Sequence, residues 1–159
     1  MIRLLGSGPI MKNVISASED LNGRGITTEI WSITSYGELR REGLEFERIK
    51  RFDPKHEGVP YVEACFGDGV PTVAASDYIA AVPEMIQRWM KGEFLPLGTD
   101  GFGRSDTREE LRRFFEVDSD SIVLASISLL ERQGAIPPGS SASFAEEAGL
   151  SYERKDVTL

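Results

Sequence analysis

Short apolar runs alternate with longer helical patterns along this chain of 159 residues, and that alternation constrains its fold more than any other feature. The apolar runs predict four strands, over Ile2–Leu5, Ile26–Ile33, Thr72–Ala75 and Phe94–Leu97. Alternation of strands and helices is typical of a largely parallel sheet covered by helices on both faces. We therefore expect an α/β fold with three layers, α/β/α, around a mostly parallel sheet of four to five strands.

Capping residues and helix breakers delimit the predicted helices. Pro9 suits a first helical position, and the apolar spacing from Ile10 to Leu21 stops at Asn22-Gly23. Further helices are predicted from Ser35 to about Arg51, from Ser76 to about Lys91, from Asp106 through Phe115, from Asp118 to Gln133, and from Phe144 to Ala148. The pattern over residues 59–66 fits either a strand or a helix.

Charge and cysteine content exclude several classes of function. A net charge of -8 argues against nucleic acid or an anionic membrane as the main partner, because both favour a concentrated positive surface. Cys65 is the only cysteine, which excludes an internal disulfide and fits a reducing compartment. The apolar run near Met1 is too short for a signal peptide. We expect a cytoplasmic protein.

The glycine-rich corner Asp100–Asp106 collects more chemically useful side chains than any other loop. It follows the fourth predicted strand, at the edge of a parallel sheet where ligands usually bind. Asp106 is expected to cap the next helix together with Glu109. The candidates for an interface or an anion-binding site are Asp100, Arg104, Ser105, Asp106 and Arg108.

Two interpretations of this corner remain open. Arg104, Ser105 and the helix N-terminus could bind an anion or a partner. Alternatively, Asp100 and Asp106 accept hydrogen bonds from the backbone while Arg104 pairs with a carboxylate, so that the loop satisfies its own polar groups.

No complete catalytic machinery is visible in the residues, and no catalytic residue is predicted. His56 is the only histidine, and no cysteine–histidine cluster has the spacing of a zinc site. A free-standing enzyme could still use the groups at the strand ends, which are Ser7, Ser35, Asp77 and Asp100. A non-catalytic binding or regulatory module is a further alternative.

A longer stretch carries a family resemblance. Residues Leu97–Asp118, LGTDGFGRSDTREELRRFFEVD, closely resemble the C-terminal domain of the homodimeric, single-chain pyruvate dehydrogenases, the decarboxylating component of the bacterial complex. Further segments agree in the same order along the chain, namely Leu4–Gly8, Ser32–Ser35, Val59–Tyr61 and Val73–Tyr78. The resemblance spans nearly the whole chain.

That family belongs to the transketolase-like superfamily and has three α/β domains per chain. The resemblance implies that the parent enzyme decarboxylates pyruvate on thiamine diphosphate and acetylates the lipoyl group of an acyltransferase component. It further implies that this chain is a C-terminal assembly or structural domain, a fragment that is not catalytic alone. Its partners would be the missing N-terminal and middle domains, the second subunit of a homodimer and, through the parent, the lipoyl acyltransferase.

The cofactors of the family, thiamine diphosphate and Mg²⁺, are held by its first two domains, so no cofactor-binding or metal-binding residue carries over to this chain. Gly67-Asp68-Gly69 imitates the opening of the family's metal motif, but no asparagine follows Asn22 to supply the second ligand. We expect neither cofactor nor metal in this chain.

The chain is expected to form one domain over residues 1–136, with a C-terminal extension over residues 137–159. Pro137 to Ser143 has the composition of a linker, and a short helix and tail follow it. This extension is expected to pack on the same domain or to fray from it, with fraying over residues 151–159.

Overall fold

A computed structural model describes residues 1–101 and 103–153 of the chain. Phe102, in the glycine-rich corner, and residues 154–159 lie outside the described residues. Most of the tail that is expected to fray, residues 151–159, therefore lies outside the described residues.

Four parallel strands form the sheet of the described chain. The strands are β1 (Ile2–Gly6), β2 (Thr28–Ser32), β3 (Thr72–Ala75) and β4 (Phe94–Leu97), in the spatial order β2-β1-β3-β4. Pro96 is tolerated because β4 lies at the edge of the sheet, where a missing backbone N–H disrupts no interior ladder. The predicted positions of all four strands are confirmed, although β2 is shorter than expected.

Seven α-helices connect and follow the strands in the described residues: α1 (Met11–Gly23), α2 (Tyr36–Phe52), α3 (Tyr61–Phe66), α4 (Ala81–Glu84), α5 (Arg108–Phe114), α6 (Ser119–Arg132) and α7 (Ser140–Glu147). Short 3₁₀ turns occur at Gly8–Ile10 and Gln87–Trp89. No helix in the described part of the chain combines the length and apolar content needed to cross a bilayer.

Side chains of the central strands alternate between two apolar cores. Leu4 and Val73 pack with α1, α6 and Phe144 of α7 on one face of the sheet. Leu5 and Ala74 pack with α2, α3 and the segment around Trp89 on the other face. Successive residues of a strand point to opposite faces, so one sheet can bury both sets. The expected three-layer α/β/α fold is confirmed.

The segment from Ser76 to Lys91 differs from the single helix expected there. It holds the four-residue α4 and a separate 3₁₀ turn. Before α4, the backbone N–H of Tyr78 donates to the Ser76 hydroxyl, and the Tyr78 carbonyl accepts from Thr99, so these residues form a turn instead. Pro83 lies in the first turn of α4, where no intrahelical acceptor is required.

Two further boundaries differ from expectation. α5 is capped by the Thr107 hydroxyl, which accepts from the N–H of Glu110 at 3.3 Å; Asp106 is not the cap. α7 begins at Ser140, ahead of the expected start at Phe144, because the Glu131 carboxylate accepts from the Gly139 N–H at 2.7 Å and organises the turn before it.

Arg3 is a buried charge in the central strand β1, only 1% exposed. Its Nε donates to Glu29 Oε2 at 2.7 Å, and its two Nη atoms donate to the Asp68 carboxylate at 3.0 and 2.7 Å. The guanidinium also lies over the ring of Phe66 at 5.2 Å. Hydrogen bonding to Arg3 lowers the pKa of the Asp68 carboxyl to about 2.

Candidate functional site

A groove with a volume of about 340 Å³ lies at the carboxyl edge of the sheet. The loops after β1, β3 and β4 form one side of it, and one face of α5 forms the other. We define this carboxyl-edge groove by its main lining residues, which are Pro9, Asp77, Thr99, Arg104, Arg108 and Arg112. It occupies the position at which open parallel sheets usually bind ligands.

The helix α5 presents a regular stripe to the groove. Arg108, Leu111, Arg112 and Phe115 all line it, and their spacing along the chain matches successive turns of a helix. Phe115 directly follows the last residue of α5. The stripe therefore combines two cations with an apolar floor.

Arg112 ties α5 to the rest of the domain. Its Nη2 and Nε donate to the two carboxylate oxygens of Asp77 at 3.0 and 3.3 Å, and its Nη1 donates to Asn13 Oδ1 at 2.8 Å. The Arg112 side chain is only 11% exposed. This bidentate, charge-assisted contact fixes the position of the helix against the loop after β3 and against α1.

The loops after β3 and β4 are held tightly together. The Thr99 N–H donates to the carbonyl of Tyr78 at 2.9 Å, and the Asp100 carboxylate accepts from the N–H of Ala80. A Cβ atom added to Gly98 would lie only 2.2 Å from the backbone nitrogen of Ala80. Glycine is required at this position by the close approach of the two backbones.

The structure places the predicted corner residues in different roles. Arg104 and Arg108 line the groove. The Asp100 carboxylate instead accepts from the backbone N–H of Ala80, and the Asp106 carboxylate accepts from the backbone N–H of Thr107 at 2.8 Å. Ser105 is exposed and is not among the lining residues. The two carboxylates thus accept from the backbone, as the alternative of a loop that satisfies its own polar groups expects.

Arg104 does not follow that alternative. Its guanidinium stacks over the ring of Phe114 at 4.5 Å, and no carboxylate pairs with it among residues 1–101 and 103–153. The N-terminus of α5 also differs from the anion site considered for it. The helix has seven residues, and the Thr107 cap already accepts from its first turn.

Three of the four groups considered for a free-standing enzyme are engaged in structural contacts, whereas Ser7 makes no capping hydrogen bond with its side chain. Ser35 caps α2 by accepting from Glu38, Asp77 is paired with Arg112, and Asp100 holds Ala80. His56 packs against Phe46, away from the groove. Within the described ranges, no group of three histidine, cysteine, aspartate or glutamate residues is arranged to hold a metal ion.

Asp68 does not fit the role of a ligand for the metal of thiamine diphosphate. Both of its carboxylate oxygens accept from Arg3, and Oδ1 also accepts from the N–H of Val70. The Gly67-Asp68-Gly69 turn therefore anchors β1 and offers no free carboxylate to a cation.

Of the six residues that define the groove, three were not among the candidates derived from the sequence, namely Pro9, Thr99 and Arg112. Arg112 could have been found, because it follows Arg108 by four residues on the same helix face. Its contact with Asn13, by contrast, joins residues 99 positions apart and has no local signal.

Comparison with known proteins identifies the family. Residues 1–118, which include β1 to β4 and the whole of α5, match the sequence model of the transketolase-like TK C-terminal domain. The chain belongs to this family. Its groove is thus the carboxyl edge of a transketolase-like C-terminal domain.

The most similar relatives include pyruvate dehydrogenase E1 components from several bacteria. The chain is 42% identical over 159 residues to that of Pseudomonas aeruginosa and 39% identical over 159 residues to that of Mycolicibacterium smegmatis, with 98% of the chain covered in each case. It is 39% identical over 138 residues to the protein of Escherichia coli, with 85% of the chain covered. The aligned regions are only 18%, 17% and 15% of the three relatives' lengths.

Proposed function

We propose that this transketolase-like domain is the C-terminal assembly and structural domain of a thiamine diphosphate-dependent pyruvate dehydrogenase. One observation carries the proposal: 98% of the chain aligns at 42% identity with a pyruvate dehydrogenase E1 component, of which it spans 18%. The chain is then a fragment whose parent decarboxylates pyruvate and acetylates a lipoyl group. The domain alone does not catalyse this reaction, because catalysis requires a preorganised set of groups supplied by other domains.

The proposal assigns the cofactors and partners to the parent enzyme. Thiamine diphosphate and Mg²⁺ bind to the N-terminal and middle domains. In this chain, the Asp68 carboxylate accepts from Arg3 and the Asp77 carboxylate of the groove pairs with Arg112. The lipoyl acyltransferase component is a partner of the parent. A cytoplasmic location, expected from the single cysteine, stays a prediction.

The corner is proposed to face another domain of the parent or the second subunit of a homodimer. The surface there carries Asp100, Arg104, Ser105, Asp106 and Arg108, all exposed. Two large apolar side chains lie in the neighbouring loop after β3, where Tyr78 is 68% exposed and Ile79 is 50% exposed. Exposed apolar residues rimmed by charges are typical of interaction surfaces.

The mass of the native polypeptide tests this proposal most directly. An antibody raised against the purified chain is used to probe an extract of the source cells, and the same antibody adsorbed with that chain serves as the control. We expect a band with the mass of a polypeptide several times longer than 159 residues, because this chain covers only 18% of the relative from Pseudomonas aeruginosa. The immunoprecipitate should reduce a lipoyl acceptor in the presence of pyruvate and thiamine diphosphate. A specific band at the size of this chain would refute the assignment and favour a free-standing module.

A further inference from the structure

The carboxyl-edge groove carries an uncompensated positive charge in a protein whose net charge is -8. Three of its lining residues are arginines, and the only acidic one, Asp77, is paired with Arg112. Neither Arg104 nor Arg108 has a carboxylate partner in the described part of the chain. Two guanidinium groups therefore line one groove without a carboxylate partner among residues 1–101 and 103–153.

The acidic residues of the corner do not compensate these two charges by direct pairing. The Asp100 carboxylate accepts from the N–H of Ala80, and the Asp106 carboxylate accepts from the N–H of Thr107. Both carboxylates are thereby directed at backbone donors, and Arg104 and Arg108 keep their donors available.

The positions of the two arginines are partly set in advance. Arg104 stacks on Phe114, which limits the freedom of its side chain. Arg108 stands one helical turn before Arg112, whose contacts with Asp77 and Asn13 hold α5 in place. Less ordering entropy is then lost when a ligand binds.

We propose that the carboxyl-edge groove binds the phosphate group of a small molecule through Arg104 and Arg108. A guanidinium forms paired hydrogen bonds with a phosphate, and the two charges of a phosphate dianion match two unpaired arginines. A single carboxylate would leave one arginine uncompensated. Pro9, Leu111 and Phe115 provide an apolar surface for the remainder of the molecule, and about 340 Å³ is within the range of small-molecule sites.

This inference concerns the chain itself and does not rest on the proposed function. A free-standing protein could bind the ligand equally well. The inference is also compatible with an interface at the corner, because ligand sites commonly lie between domains.

The test is a titration of the purified chain with inorganic phosphate and with pyrophosphate, followed by the backbone amide NMR signals of Thr99 and Leu111. We expect saturable shifts of both signals. Binding of inorganic phosphate should strengthen as the pH rises through its second ionisation, where the probe becomes a dianion and can match both arginines. Acetate at equal concentration should shift the same signals less.

Paired variants distinguish a site from general charge attraction. The double substitution Arg104→Ala with Arg108→Ala should weaken phosphate binding at least about tenfold, since two charge-assisted contacts are lost. The matched control is Arg40→Ala, which removes an exposed arginine of α2 that has no ion pair in the described ranges. It should leave the affinity within about twofold. Thermal unfolding of each variant shows that the fold is retained, as expected for exposed positions.

Three results would overturn the inference. The first is the absence of saturable shifts at Thr99 and Leu111 with either phosphate probe. The second is equal affinity of the double variant and the unsubstituted chain. The third is an equal loss in the Arg40→Ala control, which would mean that phosphate responds only to the overall charge. None of these results bears on the length of the native polypeptide.

Discussion

Replacing Arg3 with methionine should lower the free energy of unfolding by about 2 kcal/mol. Methionine fills most of the space of the buried side chain, so the loss reports mainly the three hydrogen bonds to Glu29 and Asp68. The two carboxylates are 36% and 51% exposed, and water partly replaces the lost donors. The expected loss is therefore below the 3–5 kcal/mol typical of breaking a fully buried pair. Equilibrium denaturation in urea measures it.

A surface ion pair supplies the control for Arg3. Arg48 donates to Glu45 through two hydrogen bonds, but both side chains are more than half exposed. The substitution Arg48→Met should change the stability by less than about 0.5 kcal/mol. Equal losses for Arg3→Met and Arg48→Met would contradict the view that burial makes the Arg3 network important.

The pH dependence of stability follows from the same contact. Hydrogen bonding to Arg3 lowers the pKa of Asp68 to about 2, whereas an unfolded aspartate titrates near ~3.9. A lowered folded-state pKa means that the contribution is complete above the unfolded value and is lost as the pH falls from about 4 towards 2. Asp68→Asn should remove this part of the acid destabilisation. The free energy of unfolding is measured against pH for the unsubstituted protein and for Asp68→Asn. Equal slopes of the two curves between about pH 4 and about pH 2 would contradict this prediction.

Replacing Gly98 with alanine should destabilise the domain by about 2–3 kcal/mol. The added methyl group would lie 2.2 Å from the nitrogen of Ala80 and 2.6 Å from the carbonyl carbon of Ile79. Both are backbone atoms, so the loops after β3 and β4 must separate to make room. At roughly 2–4 °C for each kcal/mol in a domain of this size, the melting temperature should fall by about 4–12 °C.

Gly103 provides the matched control in the same corner. A Cβ atom there meets nothing within 4 Å. Gly103→Ala should leave the melting temperature nearly unchanged or raise it slightly, because alanine reduces the entropy of the unfolded chain. If the melting temperature falls by a comparable amount in both variants, the loss in Gly98→Ala does not come from the backbone contact with Ala80.

Local signals accounted for most element positions. Ser35 and Asp118 cap α2 and α6 as expected, because each places a side-chain oxygen three residues before a free backbone N–H. The strands were found from runs of apolar residues, which must be continuous when both faces of a parallel sheet are covered. These signals depend only on neighbouring residues.

The cap of α5 shows where local signals stop being sufficient. Asp106 and Thr107 can both cap a helix, and the sequence favoured Asp106 because Glu109 completes the capping pattern. Moving the start of a helix by one residue rotates its faces by about 100°. The observed start at Arg108 directs Arg112 to Asp77, a partner 35 residues away, and that contact favours one cap over the other.

The sequence by itself determined the alternation of strands and helices, the two apolar faces of the sheet and the resemblance to a C-terminal domain of the transketolase type. Only the tertiary structure decided that the carboxylates of Asp100 and Asp106 accept hydrogen bonds from backbone N–H groups. It also left Arg104 and Arg108 without a carboxylate partner among the described residues. It also brought together Asn13, Asp77 and Arg112. The physical reason is that helix and strand patterns arise from neighbouring residues, whereas the pairing of a charge depends on which distant groups the fold places beside it.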